Sequence, residues 1–498
     1  MYFFIFPKML KDTEKTIPQK IIDEMIDYLY LNGIVIKNKE GTGVKHIPIT
    51  LYPSPIVKSF FDKIQFYQIA FNKIIDKISR DQEYIEQILT PISEKDEFIK
   101  KLLEISKKVS TFENKQKIQC GIFRNDYMVD KVKKFIYQIK FNTIAVSMFS
   151  FSDKLKKFYS FFSKKYPEIY ERYKEKEIPL EKKDIIPEFT SGLIEAIKLF
   201  SPDNYKNTII IFVVQENEKN VFDQRTIENE LYEKYNIISK RLTLNEIAKN
   251  CKVDEKGQIS YEDKIISLFY FRGGYAPSDY KDEESWKGRE IIELSTAIKV
   301  PNINLFLTSL KVFQYELTKP EILKKYINEE LISNDIIRFF LKIHYLRDMD
   351  KEKQKELFNQ ITSNPHSYII KPQREGGNNY YDDKILSLIP KDDSEPNDEF
   401  LNSIIMERIE APEYESLNLI DEKVTLNTIV SEFSVYGVII SSDDKTYNVN
   451  KSVGFLVRSK EKNQQEGGDM HESGCIDLPC LMDININKDD ENPISYSF

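Results

Sequence analysis

The stretch IKPQREGGNNYY, residues 370–381, carries the clearest chemical signal in the sequence. It is typical of a short strand that ends in Lys371 and is followed by Glu375 and two glycines. A lysine can meet a phosphate as a point charge, a carboxylate can hold Mg²⁺, and glycines let backbone N–H groups approach phosphate oxygens closely. The same residues also fit a hairpin loop between two strands. Taken alone, the stretch leaves both a nucleotide site and an ordinary loop open.

The segments around this stretch have the character of short strands. HSYIIK, SIIMERI, TIVSEFSVYGVII and KSVGFLVRSK combine alternation with β-branched residues, which predicts an antiparallel sheet with one covered face. Two polar stretches, 390–400 and 460–474, interrupt them and are predicted to be loops.

A different pattern begins at residue 207. NTIIIFVVQ predicts a buried strand, a helical segment follows, and DKIISLFYF at 263–271 predicts the next buried strand. This alternation predicts a parallel α/β module, and its turn at 272–275 lies at the carboxyl end of a strand, where such sheets bind ligands. Apolar residues at helical spacing over 21–31 and 56–88 predict core helices earlier in the chain.

These patterns predict an α/β (α+β) protein in three parts. Residues 1–206 are predicted to form a helical part with the first portion of the main body, residues 207–315 an α/β module, and residues 316–498 a strand-rich portion with glycine-containing loops.

Composition excludes several classes of protein. The chain has 498 residues and a net charge of −8, with 72 basic residues interspersed among 80 acidic ones, which argues against a nucleic-acid partner. The four cysteines form no CxxC pair, no apolar run is long enough to span a bilayer, and the opening MYFFIFPKML is too brief for a signal segment. We therefore expect a cytoplasmic protein without a membrane partner.

The sequence offers no candidate for covalent catalysis. The four histidines are far apart, and no HExxH motif or nucleophile triad is recognisable. A reaction that depends on positioning and charge neutralisation fits this composition better.

The chain resembles the eukaryotic glutathione synthetases along most of its length. That family has a nearly identical Lys-Pro-Gln-Arg-Glu-Gly-Gly loop, and the resemblance continues in the same order through FRNDYM at 123–128, QIKFNTIAVS at 138–147, NEKNVFDQR at 217–225, YFRGGY at 270–275, LKVFQYEL at 310–317, IMERI at 405–409 and VGFLVRSK at 453–460. The resemblance implies an ATP-grasp body with antiparallel sheets. In that fold, residues 207–315 would be an inserted α/β substrate-binding domain and residues 316–498 the nucleotide-binding portion with glycine-rich lid loops. It also implies ATP- and Mg²⁺-dependent ligation of glycine to γ-glutamylcysteine through an acyl phosphate, by a homodimer.

The resemblance also assigns residues, which we state as expectations. Those expected at ATP are Lys311, Lys371, Glu375, Gly376, Gly377, Asn378, Asn379, Tyr381, Met406, Glu407, Arg408, Ile409, Glu432 and Lys460. Those expected at γ-glutamylcysteine are Arg124, Ser147, Glu218, Asn220, Gln224, Arg272, Tyr275 and Arg458. Arg124, Lys371 and Arg458 are the expected catalytic residues. An arginine fork suits a carboxylate, and this substrate carries more than one.

The metal position departs from the family pattern. The family uses Glu, Asn and Glu, and this chain has Asn142 and Glu375 but Lys140 in place of the first glutamate. A protonated lysine cannot bind Mg²⁺ and adds positive charge beside it. Two alternatives therefore stay open: a degenerate paralogue that binds nucleotide or peptide without catalysis, and a ligase with another acceptor, because GGDMHESG at 467–474 differs from the small-residue segment of the family.

Overall fold

The computed structural model describes residues 9–174, 176–180, 183–327, 329–390, 394–443, 446–464 and 474–483. Its elements up to residue 200 are α1 (Gln19–Leu31), β1 (Val35–Lys37), β2 (Val44–His46), β3 (Ile49–Thr50), β4 (Ser54–Val57), α2 (Lys58–Ser79), α3 (Gln82–Ser93), α4 (Glu97–Thr111), β5 (Gln119–Asp130), β6 (Phe135–Asn142), α5 (Phe149–Lys165) and α6 (Ile185–Phe200).

The middle of the chain alternates between strands and helices. These elements are β7 (Ile209–Val213), α7 (Val221–Tyr235), β8 (Ile238–Leu242), α8 (Leu244–Asn250), β9 (Lys252–Val253), β10 (Ile259–Tyr261), β11 (Lys264–Phe271), α9 (Glu283–Leu294), β12 (Ile298–Val300), α10 (Ile303–Leu307) and α11 (Lys311–Glu316).

The last part contains the remaining helices and most of the long strands. They are α12 (Pro320–Tyr326), α13 (Glu330–Ile337), β13 (Ile343–Tyr345), α14 (Lys351–Ser363), β14 (Tyr368–Lys371), β15 (Tyr380–Tyr381), α15 (Asp383–Leu386), α16 (Asp398–Asn402), β16 (Ile404–Glu407), β17 (Tyr414–Ile420), β18 (Lys423–Ser441), β19 (Tyr447–Glu461), β20 (Cys475–Asp477) and β21 (Pro479–Met482).

A parallel sheet forms where the sequence predicts one. Strands β8, β7, β11 and β12 lie side by side and parallel, and β10 and β9 extend the edge in antiparallel fashion. All strands of this sheet come from residues 209–300, and the turn at 272–275 follows β11 directly. The predicted α/β class and the position of this turn are confirmed. The domain boundaries at 206/207 and 315/316 stay predictions.

The C-terminal strands divide between two antiparallel sheets. A seven-stranded sheet has the order β17-β3-β20-β19-β18-β5-β6, and a four-stranded sheet has the order β13-β16-β14-β15. Residues 433–441 of β18 are all buried, so both faces of the large sheet are covered there. The prediction of one covered face is wrong for this strand, because α2 and α6 both pack against it.

The helical run predicted over residues 56–88 is two helices. α2 buries Phe61, Ile64, Phe71 and Ile75 along one face. The helix ends at Ser79, and shortly after it the side chain of Asp81 accepts a hydrogen bond from the backbone N–H of Tyr84 at 3.1 Å. This cap starts α3, because a helix end needs partners for its exposed N–H groups. No helix within the described ranges is long and apolar enough to cross a membrane.

The core has two parts. One large apolar cluster joins the seven-stranded and parallel sheets to the helices around them. A smaller cluster that includes Leu357, Ile370 and Ile405 covers the four-stranded sheet. The end of β14, where the sequence places its clearest chemical signal, thus lies at the margin between a small sheet and the large body.

Candidate active site

Cross-strand pairing gathers the charged residues on one face of the large sheet. Residues two positions apart on a strand lie on the same face of the sheet. A few such residues on neighbouring strands therefore form a cluster when they are paired with one another. The paired positions are Arg124–Asn142, Asp126–Lys140, Asp126–Ser434 and Glu432–Arg458.

Asp126 is the centre of this cluster. Its carboxylate accepts from Arg124 through Nε at 2.7 Å and Nη2 at 3.0 Å, from Ser434 Oγ at 2.7 Å and from Asn142 Nδ2 at 2.8 Å. Arg458 Nη2 lies 3.3 Å from the same carboxylate. Burial acts to raise the pKa of Asp126, but Arg124 and then Arg458 hold that pKa well below its usual range. Asp126 therefore fixes both arginines while it stays ionised.

Lysine side chains surround Glu375 at the end of β14. Lys140 Nζ lies 2.7 Å from one carboxylate oxygen of Glu375 and Lys311 Nζ lies 3.2 Å from the other. Lys371 Nζ donates to the carbonyl oxygen of Ile139 at 2.8 Å. Burial lowers the pKa of Lys371 to about 7, and the neighbouring charges of Lys311 and Lys140 contribute in the same direction. Such an accumulation of ammonium groups favours an anionic ligand.

The glycine-containing loop after Glu375 has an unusual backbone. Gly376, Gly377 and Asn378 have φ values of 89°, 97° and 62°, in the left-handed region that glycine adopts most readily. Further along, Asn379 Nδ2 donates to the hydroxyl of Tyr381 at 3.3 Å. The loop therefore turns back into β15 beside the lysine cluster, as a phosphate-binding loop would.

Other residues expected at ATP lie on both sheets. Met406 and Glu407 end β16, where Met406 pairs with Ile369, and Arg408 donates to Asp382 at 2.6 Å. Glu407 forms an ion pair with Lys133, in the turn between β5 and β6. Ile409 follows this segment, and Lys460 lies two positions after Arg458 on β19 and therefore on the same face.

Glu432, expected at ATP, lies opposite Arg458 on the neighbouring strand. It forms an ion pair with Arg458, its cross-strand partner. The contact ties this carboxylate to the arginine expected at the peptide, and its expected contact with ATP stays a prediction.

A second group lies where the parallel sheet meets the large sheet. Arg272, directly after β11, donates to the carbonyl oxygen of Val146, and the hydroxyl of Tyr436 donates to the carbonyl oxygen of Ser147 at 2.7 Å. Asp223 on α7 accepts from the backbone N–H groups of Met148 at 2.7 Å and Ser150 at 2.9 Å. These contacts hold the segment with Ser147 in one conformation.

Glu218 organises the start of α7. Its carboxylate accepts from the backbone N–H of Asn220 at 2.8 Å and from the side chain of Gln224 at 2.7 Å. Burial acts to lower the pKa of Arg272, but Tyr270 and then Glu218 raise it. The residues expected at the peptide thus lie in one neighbourhood, together with Arg272.

Some buried polar atoms in this neighbourhood lack a hydrogen-bond partner. Within the described ranges, these include Nε of Arg272, Oδ1 of Asn220 and Nε of Arg458. Buried polar groups are rarely left unsatisfied unless a ligand or water completes them. Three such atoms among residues expected at one substrate support a polar ligand there.

The arrangement does not fit a divalent metal ion at Glu375. Lys140 and Lys311 already pair with the two carboxylate oxygens. Asn142 donates through Nδ2 to Asp126 and to the carbonyl oxygen of Arg124, so its Oδ1 is the atom that could face a metal ion. Mg²⁺ demands close oxygen ligands in near-octahedral geometry. No group of three or more His, Cys, Asp or Glu side chains able to hold a metal occurs among the described residues.

The sequence-based prediction of site residues missed three aspartates. Asp126, Asp223 and Asp279 each organise neighbours; Asp279 accepts from the backbone N–H groups of Gly274 at 2.9 Å and Tyr275 at 3.0 Å. Asp126 and Asp223 lie inside the quoted segments FRNDYM and NEKNVFDQR. For Asp126 the available signal was a charged residue in a buried strand, whereas Asp223 lies on the helix α7. The segment 467–474 falls almost wholly outside the described residues.

Comparisons with known proteins agree with the resemblance. Residues 15–481 match the family model "Eukaryotic glutathione synthase, ATP binding domain". Glutathione synthetase of Dictyostelium discoideum is 31% identical over 92% of this chain and 98% of its own, and that of Homo sapiens is 27% identical over 95% and 98%. The chloroplastic glutathione synthetase of Arabidopsis thaliana is 29% identical over 92% and 84%.

A solved structure has the same fold. The glutathione synthetase-like effector GSS30 from Globodera pallida, in its apo form, superposes with a TM-score of 0.70 over 95% of this chain and 99% of its own. Its sequence identity is 17%, so this likeness concerns the fold alone. Because the family model spans nearly the whole chain, the protein belongs to the eukaryotic glutathione synthase family.

Proposed function

We propose that this protein is an ATP-dependent ligase that joins glycine to γ-glutamylcysteine. The observation that carries the proposal is the adjacency of two charge clusters. Arg124 and Arg458, held by Asp126, suit a substrate carboxylate, and Lys140, Lys311 and Lys371 suit a polyphosphate. A carboxylate beside a polyphosphate is the geometry that acyl phosphate formation requires.

In this proposal the C-terminal carboxylate of γ-glutamylcysteine attacks the γ-phosphorus of ATP and ADP leaves. The glycine amine then attacks the acyl carbon, loses a proton and expels phosphate. Arg124 and Arg458 orient the carboxylate, whereas Lys371 and Lys311 neutralise phosphate oxygens as charge develops. Positioning and electrostatic stabilisation of this kind require no covalent intermediate on the protein.

Magnesium enters the proposal only as the ion that accompanies ATP. The Glu375 carboxylate is paired with two lysines as it stands, and no step of the mechanism is assigned to a protein-bound metal. Asn142 and Glu375, which the family pattern predicts as ligands of such an ion, are therefore given no metal ion in the mechanism.

The test is ADP release by the purified chain with γ-glutamylcysteine and each amino acid in turn. We expect release that depends on both the dipeptide and glycine, with glutathione as product. Release that does not require γ-glutamylcysteine would contradict the assignment of the peptide pocket. Faster ADP release with another amino acid than with glycine would favour the alternative of a ligase with a different acceptor amino acid.

The Lys140–Glu375 ion pair favours a further candidate, a non-catalytic paralogue that retains ligand binding. It fills the position at which the family pattern expects a metal ligand. ATP binding without ADP release under any combination of substrates would identify this case.

We further propose a cytoplasmic homodimer. Support for an interface comes from the end of α1, where Leu31 is 85% exposed, and from the adjacent β2, where Val44 is 46% exposed. Support for a reducing compartment comes from the four cysteines, which are all free thiols. Light scattering of the purified chain and imaging of a fluorescent fusion in its host cell test the two statements separately.

A further inference from the structure

We propose that the ammonium group of Lys140 is a built-in cation of the nucleotide site, so that the chain binds the polyphosphate of ATP without a divalent ion at Glu375. The inference rests on the proposed function, because it takes ATP as the ligand. It goes further in assigning to a side chain the charge neutralisation that a metal ion would supply.

The first support is the position of Lys140. Its Nζ lies 2.7 Å from Glu375 and its side chain is 26% exposed, whereas that of Lys311, on the other oxygen of Glu375, is 6% exposed. The side chain of Lys140 therefore contacts the carboxylate and is still partly open to solvent. A phosphate oxygen can approach from the open side.

The second support is the balance of charge. The ammonium groups of Lys140, Lys311 and Lys371 are balanced locally by one carboxylate, that of Glu375. The nearby carboxylates do not supply the missing anions, because Asp126 and Glu432 are already paired with Arg124 and Arg458. An excess of positive charge is left even when Lys371, whose pKa is lowered to about 7, is only partly protonated. This excess matches a polyphosphate and opposes an incoming divalent cation.

The third support is the occupancy of the possible metal ligands. Each oxygen of the Glu375 carboxylate has an ammonium partner, Lys140 on one and Lys311 on the other. A metal ion at Glu375 would have to displace Lys140 and would then lie beside a displaced ammonium group. Both steps cost free energy, since a like charge in a partly buried site is poorly screened.

The test is ATP binding, measured by isothermal titration of the full chain in EDTA and again in excess Mg²⁺. The variants are Lys140→Glu and Lys140→Gln, with Lys117→Glu as a control for the same change in net charge at an exposed position. For the unchanged protein and the control, we expect dissociation constants in the two buffers that agree within about threefold. Both Lys140 variants should bind ATP about tenfold or more weakly in EDTA, and Lys140→Glu should recover affinity when Mg²⁺ is added.

The outcomes separate the two proposals. Binding by the unchanged protein that appears only with Mg²⁺ would overturn the role of Lys140 and leave the nucleotide site standing. ATP binding by Lys140→Gln in EDTA that is as tight as that of the unchanged protein would also overturn the role of Lys140 and leave the nucleotide site standing. No ATP binding in either buffer would overturn the nucleotide site together with this inference. Thermal melting of each variant confirms that the compared proteins are folded, and the neutral Gln variant serves if Lys140→Glu does not fold.

Discussion

Arg124 and Asp126 form a two-point ion pair within a single strand, with Nε–Oδ1 at 2.7 Å and Nη2–Oδ2 at 3.0 Å. Both residues are almost fully buried, and their separation of two positions places both side chains on the same face of β5. The pair fixes the plane of the guanidinium before any substrate arrives. Such preorganisation lowers the ordering that binding would otherwise require.

Asp126→Asn should lower both stability and affinity for the dipeptide. Removing one charge of a buried pair leaves its partner uncompensated, which typically costs about 3 to 5 kcal/mol. The pKa of Asp126 is lower in the folded protein than in the unfolded chain. Ionised Asp126 therefore stabilises the fold at pH values above those at which an unfolded aspartate titrates, and this stabilisation is lost as pH falls through the lower pKa of the folded state. Urea unfolding at neutral pH should show a lower free energy of unfolding for Asp126→Asn. The control Asp12→Asn, at an exposed side chain, should leave that free energy unchanged.

Arg124→Ala and Arg458→Ala should raise the KM for γ-glutamylcysteine much more than the KM for ATP. Each side chain is held by Asp126 on the part of the sheet expected to meet the dipeptide. Loss of a charge-assisted hydrogen bond costs roughly 1.5 to 3 kcal/mol, which corresponds to about one to two decades in KM. Arg225→Ala, at an exposed arginine of α7, is the control. Equal effects on both substrates would contradict the assignment.

Lys371→Ala and Glu375→Gln should abolish ADP release and leave the protein folded. Lys371 is a buried cation whose burial lowers its pKa, so its removal relieves a desolvation cost in the empty site but withdraws a phosphate partner. Glu375→Gln removes the carboxylate that holds Lys140 and Lys311 apart and in place. Thermal melting distinguishes lost chemistry from lost structure. Unchanged turnover in either variant would argue against the nucleotide site.

Asp477→Asn should weaken the pH dependence of stability between pH 4 and 7. Burial raises the pKa of Asp477 to about 6, although Ser54 and Ser459 donate hydrogen bonds to it. Because the pKa of Asp477 is higher in the folded state, its protonated carboxyl group contributes fully to the free energy of unfolding at pH values below the unfolded pKa. This contribution, about 1 to 3 kcal/mol in total, is lost as pH rises through the folded pKa. Melting temperatures of the two proteins should therefore diverge with pH. Parallel curves would show that Asp477 stays ionised throughout.

The sequence by itself determined the features that depend on local pattern. The apolar run at 207–215 and the second one at 263–271 identified two strands of the parallel sheet, and the turn at 272–275 was placed at the carboxyl end of β11. Lys371 and Glu375 were singled out because a strand ending in a cation before a glycine pair is visible in twelve consecutive residues. Such signals survive because periodicity and turn chemistry are properties of neighbouring residues.

Only the tertiary structure decided which of these groups meet. Asp126 and Arg458 are 332 positions apart, and their contact depends on the register of β5, β18 and β19, which no local pattern specifies. The pairing of Lys140 with Glu375 likewise joins β6 of the large sheet to the loop after β14 of the small one. The reason is physical: side-chain direction on a strand follows from the alternation of residues, but the partner across the strand follows from register, which packing of the whole sheet fixes.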